Sequence, residues 1–170
     1  MTNERLYYLI FCGTSPKAII NSIWASIDIE KIKPTNIVLL KTKGQWGLNK
    51  IKRSVESLIE NTLTNNCSVE LLTITESDIE RNLVVLNEYF SNLKNEKMKV
   101  IFDITPGRKT MSISGLLFVH SAIGEKKTSS SMYQKIVYWH LLDSGKYVRK
   151  WYPEIPRSKF QFVDLMEVIR

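Results

Sequence analysis

The feature that most restricts the fold is a repeated unit: a short apolar run, a turn or polar break, and then apolar residues at helical spacing. The runs are "RLYYLIFC" at 5–12, "TNIVLLKT" at 35–42, "SVELLTI" at 68–74 and "KVIFDI" at 99–104. Short, nearly continuous apolar stretches of this kind mark strands buried on both faces. Residues 16–29, 48–63, 76–93 and 109–123 follow them as helices, the second carrying Ile51, Val55, Leu58 and Ile59 on one face. Ser15 followed by Pro16 starts the first helix well, because proline has no N–H to leave unpaired there. Ser77 or Asp78 caps the third. Strand and helix alternating through four cycles predict an α/β domain, with a mainly parallel sheet covered by helices on both faces.

Beyond residue 124 the pattern changes. "GEKKTSSS" reads as a loop, and "YQKIVYWHLL" at 133–142 with "KYVRKWY" at 146–152 reads as a β-hairpin around "DSG". The last stretch crosses the surface into "FVDLMEVIR", either a final strand or a short helix. One domain over residues 1–170 is expected, with its core at about 5–152 and an extension at 153–170.

The formal net charge is +7 and the pI about 9.4, which favours anionic partners without choosing among them. No apolar run approaches the roughly 20 residues that a spanning helix requires, so a cytoplasmic protein with no membrane partner is expected. Cys12 and Cys67 have no paired spacing and read as small buried hydrophobes.

Two turns carry the chemistry: "GTSP" after the first strand and "TPGRKT" after the fourth. In open parallel sheets ligands bind beyond the carboxyl ends of the strands, and a helix start there offers unpaired N–H groups to phosphate. Gly13 and Gly107 allow close backbone approach to a ligand. Thr14, Ser15, Thr105 and Thr110 supply hydroxyls, and Arg108 and Lys109 supply charge. Each turn alone is ordinary capping chemistry; as a pair after strands that would be central, they flank one crevice. "GRKT" lacks the glycines of a Walker A loop, and no G-x-G-x-x-G follows the first strand. No common cofactor is therefore expected.

"DITPGRKTMS" resembles the "D/N-[IL]-T-G-G-T-K-x-M" signature of CARF domains, the Rossmann-like modules associated with CRISPR systems, and "GTSP" resembles their first ligand loop. Asp103, Ile104, Thr105, Gly107, Lys109 and Met111 align, while Pro106 and Arg108 replace Gly and Thr. The order of elements agrees over about residues 5–150. The resemblance implies a homodimer that binds a cyclic oligoadenylate, usually the tetramer, across its twofold axis. With no effector domain in these residues, it further implies a ring nuclease that switches off CRISPR signalling. Such an enzyme needs no metal: the 2′-hydroxyl of the RNA attacks the adjacent phosphate, leaving linear di-adenylate with a 2′,3′-cyclic phosphate. In that reading Lys109 stabilises the transition state, Arg108 grips phosphate, and Ser15 orients ribose or phosphate. Gly13, Thr14, Thr105, Pro106, Gly107, Thr110 and Met111 line the ligand. The alternative is a module that senses or sequesters the same ligand without cutting it. Stable DNA binding is not expected, because the charge is unaccompanied by a recognition motif.

Two aromatics complete the set. Trp46 in "GQWG" is a candidate for stacking on a base, against the plainer reading of a turn leading into a helix. Tyr133 is a candidate lid over an adenine, against simple packing. His120 and His140 read as structural, with no partner at ligand spacing.

Overall fold

A computed structural model describes residues 4–45, 47–63, 66–93, 98–124 and 133–169. The four predicted cycles are present: β1 (Arg5–Phe11), α1 (Pro16–Asp28), β2 (Asn36–Thr42), α2 (Leu48–Thr62), β3 (Ser68–Ile74), α3 (Ile79–Ser91), β4 (Met98–Asp103) and α4 (Lys109–Gly124). Then come β5 (Tyr133–Leu141), the short α5 (Ser144–Tyr147), β6 (Phe160–Asp164) and α6 (Leu165–Ile169). The strands form one sheet in the order β3-β2-β1-β4-β5-β6. All neighbours are parallel except β5 and β6.

Alternation along β1 builds two cores. Tyr8, Ile10 and Cys12 face the α1 and α2 side with Ile19, Ile51 and Val55, while Tyr7, Leu9 and Phe11 face the α3 and α4 side with Leu86, Phe90 and Phe118. Burying each large apolar side chain is worth roughly 1.5–3 kcal/mol, so a central strand apolar on both faces anchors both layers. Ser15 caps α1, its Oγ accepting from Ala18 N at 3.3 Å, and Asp78 caps α3, accepting from Arg81 N at 2.9 Å. The chain moves outward from β1 to β3 on one side and crosses back to β4 on the other. The strand order therefore reverses between β1 and β4, the place where open α/β sheets form their ligand crevice.

Two expectations need correction. The hairpin does not form: β5 is paired antiparallel with Phe160–Asp164, and 146–152 is not a strand. Asp143, in the left-handed region at φ 53°, instead starts a helical turn, its carbonyl accepting from Lys146 N at 2.9 Å. The following backbone is satisfied by α1: Asn21 donates to the Lys150 carbonyl at 3.0 Å and accepts from Tyr152 N at 2.9 Å. "FVDLMEVIR" supplies both alternatives in turn, strand then helix. Cys12 is buried, its thiol pushed up to about 12 by desolvation and by the charge of Asp103. Cys67 is only half-buried.

Candidate functional site

The two turns touch. A Cβ built on Gly13 would sit 1.8 Å from the carbonyl oxygen of Pro106, so only a residue without a side chain fits there. Gly107 is confined in the same way: a Cβ would come within 2.9 Å of the Phe11 Cβ and 2.8 Å of Ser112 Oγ. Gly13 thus lets the two turns meet backbone to backbone, and Gly107 lets the second turn sit against the side chains of Phe11 and Ser112. Gln45, just past β2, adds a clamp, with Nε2 donating to the carbonyls of Gly13 at 2.9 Å and Cys12 at 3.2 Å.

Beneath the second turn lies a buried carboxylate. Asp103, 0 % exposed, accepts from Tyr8 OH at 2.6 Å, from Ser22 Oγ and from Thr105 N at 2.9 Å. Burial pushes its carboxyl up, opposed by the hydrogen bonds from Ser22, Thr105 and Tyr8. Burial, with the nearby Asp103 charge, also holds the Tyr8 phenol well above its ordinary range. Ser26 extends the network, lying 2.8 Å from Tyr8 OH and accepting from Trp139 Nε1 at 2.9 Å. Because Ser22 and Ser26 belong to α1 and Thr105 to the second turn, this network fixes the first helix against the second loop. Thr105 Oγ1 accepts from Trp139 N at 2.8 Å, tying the same turn to β5.

At the rim, Thr14, Ser15, Arg108 and Lys109 are exposed, and Thr105, Pro106, Gly107 and Thr110 are half-buried. The hydroxyl of Ser15 still has its proton to donate outward, and Lys109 is the first residue of α4. Arg108 is ion-paired with Glu76 of the β3–α3 turn, which sequence reading overlooked. That turn is itself held by fully buried Asn82, which accepts from Thr75 N at 2.7 Å and donates to Ser114 Oγ of α4 at 3.2 Å. A groove lined by Glu4, Thr35, Ile59 and Ser68 opens at the opposite edge, where the strands begin and where, among the described residues, no helix N-terminus converges.

Several expected residues fall elsewhere. Met111 is 0 % exposed in the core between sheet and α4, so it supports the turn from below and offers no surface to a ligand. Tyr133 begins β5 opposite Val100, about 13 Å along the strand from Val137, which marks the end of β4, so its backbone is far from the rim. Trp46 lies outside the described residues. His120 is exposed on α4, about 16 Å along the helix from Lys109. Gln45 and Asp103 were present in the quoted motifs, but their work is done through contacts distant in sequence.

No family model and no curated protein matches the chain. Solved structures do. Csm6 from Enterococcus italicus, bound to cyclic hexa-2′-fluoro-hexa-dAMP, superposes with a TM-score of 0.56 at 14 % identity, over 80 % of this chain and 33 % of its own. Can2 from Sulfobacillus thermosulfidooxidans, in complex with cyclic tetra-adenylate, gives 0.51 at 14 %, over 83 % and 33 %. Protein VC1899 from Vibrio cholerae gives 0.54 at 12 %, over 79 % and 30 %. The chain has their Rossmann-like fold. It spans about a third of the length of each.

Proposed function

We propose that the protein is a CARF-type module that binds a cyclic oligoadenylate, cyclic tetra-adenylate by preference, in the cradle between the β1–α1 and β4–α4 turns, and cleaves it. The observation that carries this reading is the Gly13–Pro106 approach, which merges two helix-start turns into one rim bearing Ser15 and Lys109. Two of the proteins that share the fold are bound to cyclic oligonucleotides of adenine. Lys109 and the first-turn N–H groups of α4 meet a phosphate, and Ser15 and Thr14 donate to its oxygens or to ribose.

Cleavage proceeds by attack of a ribose 2′-oxygen on its own phosphate. The 2′-oxygen bonds to phosphorus as the bond to the 5′-oxygen breaks; the 2′ proton passes to solvent, and Lys109 returns one to the leaving oxygen. The protein's work is alignment and stabilisation of the extra charge at phosphorus. Two cuts in a tetramer leave di-adenylates ending in 2′,3′-cyclic phosphate.

A second copy completes the site. Helix α4 is apolar inside, at Met111, Phe118 and Val119, and also outside, where Ile113 and Leu117 are 44 % and 45 % exposed one turn apart. A helix apolar all round is built to be covered on both sides, and a twofold pairing of α4 suits a ligand with twofold symmetry.

A binding-only reading is favoured by one observation: Glu76 already engages Arg108, leaving Lys109 as the unengaged cation of the motif pair among the described residues. Incubating the protein with cyclic tetra-adenylate and EDTA and resolving the products separates the two. Linear di-adenylate supports cleavage, intact ring retained by the protein supports binding alone, and failure to bind the ring refutes both.

A further inference from the structure

Strand β5 outruns β4. Their register ends with Asp103 opposite Val137. The next links are Ile104 N to the Val137 carbonyl at 3.0 Å and Trp139 N to the Thr105 hydroxyl at 2.8 Å. The last residues of β5 therefore stand beside the 104–108 turn as a wall. Val137 and Trp139 point into the core under α1 and α2, and Ile136 into the core under α3 and α4. By alternation Tyr138 and His140 share the face of Ile136, the side on which α4 begins at Lys109. Both are exposed, Tyr138 by 38 %, and their rings lie 6.4 Å apart with planes inclined at 32°.

Aromatic side chains on a sheet surface beside a cationic groove are a general means of holding nucleotides, because every base has a π-face. Resting on the cyclic oligoadenylate reading above, we propose that Tyr138 and His140 form the surface on which an adenine of the ligand stacks while its phosphate lies at Lys109. Their role is to bind the base; the chemistry at phosphorus belongs to the cradle. The assignment moves base recognition from the start of β5, where Tyr133 lies, to its end.

Calorimetric titration tests it, with wild type, Tyr138→Ala, Tyr138→Phe, Tyr138→Leu and His140→Ala against cyclic tetra-adenylate, and against inorganic pyrophosphate as a base-free probe. Each alanine variant should bind the ring about five- to a hundredfold more weakly, the range for loss of one base–aromatic contact. Tyr138→Phe should bind nearly as wild type does, Tyr138→Leu should not, and pyrophosphate should bind equally to all. Alanine variants within twofold of wild type, or a leucine variant as good as the phenylalanine one, overturn the proposal. So does an equal loss for pyrophosphate, or a fall in mass by light scattering that traces the loss to a subunit contact. A wild-type protein that binds no ring fails in the first titration, which identifies the ligand reading itself as the fault.

Discussion

Gly13→Ala tests the meeting of the two turns most directly. The new Cβ would sit 1.8 Å from the Pro106 carbonyl oxygen and 3.0 Å from its carbon. An ordinary close C···O approach is ~3.3 Å, so one backbone must retreat by about 1.5 Å. Neither is free to do so. Gln45 holds the carbonyls of residues 12 and 13, and Asp103 and Trp139 hold Thr105, next to Pro106. Overpacking against a constrained backbone costs about 1–3 kcal/mol, which urea denaturation resolves. A displacement of 1 Å or more at a positioned phosphate site costs about a hundredfold in rate, so cleavage of the ring should fall further than stability does. Gly145→Ala is the control: a Cβ there meets nothing within 4 Å, and in a helical turn alanine is favoured over glycine by up to ~1 kcal/mol. If Gly13→Ala matches wild type in both unfolding midpoint and ring affinity, the turns do not meet as described and the cradle is wrong.

Lys109→Ala should retain the fold and lose about a hundredfold or more in ring cleavage, since one stabilising donor is worth ~3–4 kcal/mol of barrier; single-turnover assays check it, and near-normal turnover removes its role. Ser15→Ala should show a smaller rate loss together with about 1 kcal/mol of stability from the missing cap, and an unchanged rate leaves Ser15 a cap only. Leu117→Glu should shift the mass in light scattering from dimer to monomer, and a wild type that is already monomeric refutes the paired-helix reading. Asp103→Ala strands the Ser22 and Thr105 donors, leaves Tyr8 OH only Ser26 as partner, and should cost about 2 kcal/mol or more, at ~1–3 kcal/mol per stranded buried group. Asp103→Asn keeps an acceptor for Thr105 N and lets both hydroxyls reorient, so denaturation should find it much closer to wild type.

The layered sheet was legible because two short periods, strand and helix, are written into consecutive residues, and the capped starts at Ser15 and Asp78 fall where those periods change. Relations across the sheet carry no such mark. Glu76 meets Arg108, and Gln45 meets Gly13, only because β3–α3 and β2–α2 end at the same edge as β1 and β4. Residues 146–152 alternate well enough for a strand, but Asn21 offers their backbone partners that a hairpin would otherwise have supplied. Met111 shows a different failure: motif matching placed it in the site, whereas its spacing of seven from buried Phe118 places it on the inner stripe of α4. Direction along the strand decides the aromatics. A strand parallel to β4 delivers its last residues to the carboxyl edge of the sheet, so within "YQKIVYWHLL" Tyr138 and His140 stand beside the 104–108 turn and the residue that starts the run does not.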